Sequence, residues 1–239
     1  MRILWLYPKT TVEALSAEEA ILRLRLEGKS SDTLCFWQGK RSLVVGCDRN
    51  RDKVDFQLCA KYGIPIYRRQ SGGGAIYQEE GNLNYSLIAP LDKISPSKDI
   101  QSATQVIDSL VAKAISQLNL RTAVLANGGV GVEGRKFSGS AQFVLWGYLL
   151  HHGVIAVNTD LKLLSELIST NKVTVTTLER ELGHSIEMVR LAGLIRKEFA
   201  ANFNTTEFQG KLSHEEEVLA QELLKNKYLT SEWSGCLYG

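Results

Sequence analysis

The sequence predicts an α+β domain: a mixed, mostly antiparallel β-sheet flanked by helices. Three observations lead there. Strand-like runs cluster in two stretches, around residues 34–46 and 128–157. Val106, Ile107, Leu110, Val111, Ala114, Ile115 and Leu118 recur at helical spacing and mark one long core helix. Beyond about Val175 the texture turns helical and more charged. Strands in runs with helices before, between and after them suit an α+β layer architecture.

In chain order, Arg2–Leu6 reads as a strand. Ser16-Ala-Glu-Glu19 has the form of a capping box and predicts a helix over Ala17–Glu27. Leu34–Gln38 and Ser42–Gly46 read as a hairpin turning at Gly39-Lys40. Asp55–Tyr62 predicts a short helix, Ile64–Arg69 a strand, Leu83–Ala89 a returning strand and Pro90–Lys98 a loop. The core helix spans Gln101–Leu118. Gly128–Val132, Gly139–Leu145 and Tyr148–Val157 read as a meander, and Asp160 caps a helix carrying Leu161, Leu164 and Leu167. Ser185 opens a helix to about Asn202, and the capping box Ser213-His-Glu-Glu216 opens the last one.

Composition narrows the class. With 239 residues, 44% of them hydrophobic, the chain can bury a sizeable core in one large domain. A net charge of +2 gives no basic field for nucleic acid. No apolar run approaches the ~20 residues that span a bilayer, and Met1–Pro8 is too short for a signal peptide. Cys35, Cys47, Cys59 and Cys236 form no Cys-x-x-Cys, so no metal site is expected. Cys35 lies in an apolar run and reads as a buried thiol, which fits a reducing compartment, the cytoplasm.

Residues 68–86 carry the strongest chemistry. Arg68 and Arg69 stand directly before Ser71-Gly72-Gly73-Gly74. Successive glycines let another group approach the backbone, and their free N–H groups form an anion-binding concavity. Arginines add planar, permanent charge suited to phosphate or carboxylate. The plain alternative is a glycine-rich turn with two solvated arginines. A second segment, Gly134–Gln142, surrounds Lys136 with small residues. Such a lysine can hold a phosphate or developing oxyanion as a point charge; the alternative is an ordinary surface lysine. Third, His151 and His152 are adjacent in a strand, so they point to opposite faces and cannot easily share a metal.

These residues resemble the biotin/lipoate protein ligase family, in its lipoate–protein ligase A branch. The matching segments are Arg68–Tyr77 with Gly81–Ser86, then Arg135–Gln142, then His152–Ile155 with Asn158–Leu161, and more weakly Lys227–Trp233. The resemblance implies a class II synthetase-like catalytic domain over residues 1–239. Its C-terminal part, about 176–239, is helical, and no separate accessory domain is expected. It implies an enzyme that joins lipoic or octanoic acid to a lysine of an acceptor domain. ATP, with Mg2+, activates the acid as an acyl-adenylate, and the acceptor lysine then displaces AMP. By resemblance Lys136 is the catalytic residue. Arg69, Ser71, Gly72, Gly73, Gly74, Tyr77, Asn82, Asn84, Ser138, Gly139, Ala141 and His152 bind the acid and the adenylate. The implied partners are a lipoyl acceptor domain, of a dehydrogenase E2 or a glycine cleavage H-like protein, and an accessory-domain subunit; neither nucleic acid nor membrane is implied.

The chain departs from the family pattern at three places. Gln78 stands where the family usually has His, Asn127-Gly128-Gly129 where it has Asn-Asp, and Cys47 where an arginine often follows Gly46. The missing aspartate predicts weak ATP activation without a second subunit. Three other functions remain open at this point: lipoyl or octanoyl transfer between carrier proteins, biotin attachment, and non-catalytic binding of lipoate or adenylate. A transferase of the thioester kind needs a cysteine nucleophile. Cys47, near Arg49 and Arg51, is the candidate, because positive neighbours lower a thiol pKa.

Overall fold

The computed structural model describes residues 1–48, 54–126, 128–169 and 173–234. Arg49, Arg51, Asn127 and Cys236 therefore lie outside the described residues. The large sheet runs β11 (Phe208–Gln209), β1 (Arg2–Trp5), β2 (Thr33–Gln38), β6 (Asn82–Pro90), β10 (Tyr148–Ala156), β9 (Arg135–Leu145), β8 (Val130–Val132) and β7 (Thr122–Val124). Its pairings are antiparallel except where β1 runs parallel to β2 and β11. A small sheet, β4 (Ile66–Arg68), β3 (Ser42–Val45) and β5 (Ile76–Gln78), stands beside it. The mixed, mostly antiparallel sheet is the one expected.

Period-2 alternation buries both faces of the large sheet. On β2, Leu34 and Phe36 enter one core, where α4 (Ile100–Ser116) and α7 (Met188–Asn202) pack. Cys35 and Trp37 enter the other, under α1 (Thr11–Leu26) and α8 (His214–Leu223). The small sheet shares a third core with α2 (Phe56–Lys61) and α5 (Leu161–Leu167). The remaining helical pieces are α3 (Leu91–Ile94), α6 (Leu178–Leu182), a π-helical turn at Leu224–Tyr228, and α9 (Ser231–Ser234).

Two expectations fail for tertiary reasons. The first helix begins at Thr11, and Ser16 lies inside it, donating its hydroxyl to the Glu13 carbonyl at 2.9 Å. Glu18 and Glu19 are buried instead of capping anything. Glu19 accepts from Lys227 Nζ at 2.7 Å and from Tyr228 Oη at 2.6 Å, which ties α1 to the C-terminal turn. Residues 34–46 do not form a hairpin: β2 belongs to the large sheet and β3 to the small one. Thr11 holds the crossing, accepting from Lys40 N at 3.1 Å and from Ser42 Oγ at 2.8 Å. By contrast, the box at Ser213 forms as expected, with Glu216 N donating to Ser213 Oγ at 3.2 Å and Ser213 N to Glu216 Oε2 at 2.8 Å. The Ser185 helix starts three residues late, after Glu187.

Candidate active site

The glycine loop leaves β4 and lies across the end of β3. Arg69 N donates to Val45 O, and Cys47 N to Ser71 O, both at 3.0 Å. A Cβ on Gly46 would sit 2.3 Å from Gly73 O, so only glycine lets the loop lie this close. The Arg69 guanidinium is buried beneath the loop. It donates to Ser71 Oγ at 3.0 Å, Gly72 O at 2.5 Å and Gly74 O at 2.9 Å. Burial pulls its pKa down to about 10, with Asp48 and Cys47 opposing the fall. Arg69 thus braces the loop from below. Arg68, next along the strand, faces the opposite way and lies over the Trp233 ring, 5.6 Å from its centroid.

The loop offers donors upward. Gly73 N already donates to the Asp48 carboxylate at 2.9 Å, so an anion sits in the concavity. Among the described residues the amides of Gly72 and Gly74 form no hydrogen bond. Ser71 Oγ, which accepts from Arg69, lies 2.6 Å from His152 Nε2. His152 Nδ1 in turn lies 2.8 Å from Glu18 Oε2. A carboxylate only accepts, so Nδ1 carries a proton and donates to Glu18. Glu18 Oε1 also takes Trp37 Nε1 at 2.9 Å and the Ser86 hydroxyl. Sequence reasoning missed Glu18, because it sits inside a Ser16-Ala-Glu-Glu19 segment that reads as a capping box.

Nine of the expected site residues line two neighbouring cavities; Ser71, Gly72, Gly73 and Gly74 line neither. A slot of about 30 Å³ has apolar walls from Leu15, Trp37, Val44, Ile76, Ala141 and Val154. Arg69, Asn84 and His152 line it as well. A chamber of about 140 Å³ gathers Tyr77, Asn82, Lys136, Ser138 and Gly139. Ile76 and Val154 border both. Strand register makes this arrangement: β10 sets His152 beside Ala141 and Val154 beside Gly139, while β6 sets Asn84 beside Val154. A wider groove of about 860 Å³ along α4 holds none of the expected site residues.

The amides are committed to the frame. Gln78 Nε2 donates to Asn84 Oδ1 at 2.7 Å, and Asn84 Nδ2 to Gln78 Oε1 at 3.0 Å. Asn82 donates to Tyr77 O at 2.8 Å and accepts from the Thr159 hydroxyl. Gln78 therefore ties β5 to β6 through a reciprocal amide pair. Burial, with Glu79 nearby, pushes the Tyr77 phenol up to about 12, so it stays neutral.

Lys136 is different. Its backbone is fixed, donating to Thr174 O at 2.8 Å and accepting from Thr176 N at 2.9 Å. Its Nζ has no hydrogen bond or ion pair among the described residues. Burial lowers its pKa below the ordinary lysine range, and the charge of Asp108 opposes the fall. Gly129, at φ +81°, has no room for a side chain: a Cβ would meet Ser138 O at 2.1 Å and Lys136 Cε at 2.7 Å. An aspartate cannot occupy position 129 in this backbone.

The family model of the lipoyl protein ligase A/B catalytic domain matches residues 10–200. The chain is 30% identical to lipoate-protein ligase A subunit 1 of Thermoplasma acidophilum, over 95% of this chain and 93% of that protein. It spans just over half the length of two Mycoplasma relatives, 55% and 54%. A crystal structure of lipoate-protein ligase A bound with ATP superposes with a TM-score of 0.88, at 26% identity over 99% of this chain and 98% of that one. A bi-partite lipoate protein ligase from Thermoplasma acidophilum, studied with its E2 lipoyl domain, gives 0.86 at 25% identity over 100% and 97%.

Proposed function

The chain belongs to the lipoyl protein ligase A/B catalytic domain family, and we propose that it attaches lipoate, or octanoate, to a specific lysine of a lipoyl acceptor domain through an acyl-adenylate. One observation carries the reading: two mostly apolar cavities share Ile76 and Val154, one walled by the loop's Arg69 and by His152, the other holding Lys136, whose ammonium has no hydrogen bond or ion pair among the described residues. The acyl chain runs along Trp37, Ala141 and Val154, and the narrow slot between them widens to admit it. The nucleotide lies in the chamber, walled by Tyr77, Asn82, Ser138 and Gly139. Gly72 and Gly74 donate to the phosphate, while Arg69, Ser71 and His152 hold the loop that presents them. Gly73 supplies the turn, and Asn84 locks its wall through Gln78.

The chemistry needs no nucleophile from this chain. A carboxylate oxygen of the acid attacks the α-phosphorus of ATP and pyrophosphate leaves. The acceptor lysine then attacks the acyl carbonyl and AMP leaves. Lys136 stabilises the charge that grows on the reacting phosphate and carbonyl oxygens. Among the described residues no three acidic, His or Cys side chains cluster as a metal cage. Asp48, exposed beside the loop, would be this chain's contribution to holding a magnesium ion, which would supply charge neutralisation there.

Residues 1–239 act as one catalytic domain, with about 176–239 as its helical part, and work with an accessory polypeptide in the cytoplasm. No described helix is long and apolar enough to cross a membrane. The test is to weigh a lipoyl domain after incubation with the chain. Supplied lipoyl-AMP should load the acceptor with the chain alone, whereas ATP plus lipoate should load it slowly without a second subunit. Fast ATP-dependent loading by the single chain contradicts the division of labour, and no loading from lipoyl-AMP contradicts the function.

The thioester alternative has little to work with. Cys35 and Cys59 are buried, and burial pushes both thiols above the ordinary range. Cys47 is exposed beside the loop. Single replacements of Cys35, Cys47, Cys59 and Cys236 by serine or alanine are expected to leave acyl transfer within a few-fold of wild type. Mass spectrometry after incubation with an octanoylated carrier checks this, and a stable acyl adduct on Cys47 would promote the transferase.

A further inference from the structure

Behind Lys136 lies a buried polar cluster that the chemistry above does not use. Asp108 is on the inner face of α4, 1% exposed. Its Oδ2 accepts from Gly129 N at 3.0 Å and its Oδ1 from Ser140 Oγ at 3.2 Å. An unpaired carboxylate at such depth is costly, and its surroundings offer little relief. His151 Nε2 is 4.0 Å from Oδ1, but burial and the adjacent His152 push that ring down to about 3, so it is neutral. Tyr85, stacked on His151 at 5.9 Å, is neutral too, held well above its ordinary range by burial and by Asp108. Arg135 is committed to Glu181 and Glu133. Burial lifts the Asp108 pKa above the ordinary carboxylate value, and the bonds from Gly129 and Ser140 and, among the described cations, the charge of Lys136 oppose that rise.

The two are also joined through the backbone. The Lys136 side chain runs over Gly129, so close that a Cβ there would lie 3.1 Å from Nζ. The amide of that same glycine is the one Asp108 holds. We propose that Asp108 is a positioning residue for Lys136: it clamps the Gly128-Gly129 turn, over which the lysine side chain runs, to β9 through Ser140, and sets a carboxylate behind that side chain. The carboxylate that serves the lysine thus comes from α4. The proposal rests on the reading that Lys136 acts on the acyl-adenylate.

The experiment has one readout free of activity. The pH dependence of acetic anhydride labelling at Lys136, followed by mass spectrometry, reports its protonation directly. Asp108→Asn keeps the shape and an acceptor for Gly129 but removes the charge. The labelling midpoint is expected to fall by about one pH unit. The alkaline limb of transfer from supplied lipoyl-AMP should shift the same way, with kcat down about tenfold at high pH and KM for the acceptor unchanged. An unmoved midpoint, with a superimposable pH profile, overturns the proposal. Should Asp108→Asn fail to fold, Ser140→Ala removes only one arm of the clamp. It is expected to lower kcat about threefold without changing KM, and full turnover there overturns the clamp. Full activity of Lys136→Ala, by contrast, defeats the functional reading while the labelling shift still stands or falls on its own.

Discussion

Replacing Lys136 by alanine is expected to cut transfer from supplied lipoyl-AMP about 100-fold, or roughly 3 kcal/mol in the transition state, and to leave the fold intact. The two halves of that expectation have separate causes. The side chain makes no hydrogen bond or ion pair among the described residues, so removing it strands no buried partner by direct contact. The strand that carries it is held by backbone bonds to Thr174 and Thr176, which alanine keeps. What alanine loses is one charge-assisted contact to the reacting group, made in a partly desolvated chamber where such contacts are strong. A stopped assay on lipoyl-AMP, with a thermal melt on the same sample, separates the halves. Near-normal turnover in a folded variant would mean that the lysine is misassigned. Protonated Lys136 is the active form, and its pKa is depressed by burial, so wild-type activity should decline on the alkaline side earlier than for an ordinary lysine.

The largest stability effect is expected between β1 and α8. Arg2 on β1 and Glu216 on α8 form a bidentate, buried ion pair, at 2.8 and 2.5 Å. Breaking such a pair from one side strands a buried charge and costs about 3–5 kcal/mol. Arg2→Ala should therefore lower the melting temperature by about 10 °C at pH 7. Burial alone would raise the Glu216 pKa, but Arg2, Ser213 and Ser30 together hold it below its ordinary value. A carboxyl depressed in the folded state contributes stability above its unfolded pKa and loses it as pH falls through the folded one. The deficit of Arg2→Ala should therefore shrink as pH falls, first as the unpaired, buried Glu216 of the variant takes a proton, and fully once the wild-type carboxyl, held below its ordinary value, is protonated too. Melts at pH 7 and pH 4 measure it; an equal deficit at both would show that lost packing, not charge, was responsible.

The apolar stripe of α4, the capping box at Ser213 and the residues of the glycine loop were legible in the sequence, each for a local reason. A 3.6-residue stripe makes sense only as a helix with one buried face, and consecutive glycines serve only where backbone must come close. Lys136 lines one of the two cavities, while Ser71 touches His152 and Arg69 on the wall of the other and Gly72–Gly74 line neither.

Other residues carried a local signal that pointed the wrong way. Ser16 and Glu19 match a helix start, yet Glu18 and Glu19 bind His152, Trp37, Lys227 and Tyr228, all distant in sequence. Arg68 and Arg69 look equivalent, but a strand turns neighbours to opposite faces, so one braces the loop and the other lies on Trp233.

By itself, the sequence determined which backbone can bend, which helix is amphipathic, and which groups can bind an anion, because those properties belong to single residues and short spacings. Only the tertiary structure decided which carboxylate serves which cation. Asp108 meets the turn before Lys136 because α4 packs on the sheet there, and Glu18 reaches His152 because α1 covers the other face. Such pairings follow from register and helix packing across long stretches of chain, where neither propensity nor periodicity carries any information.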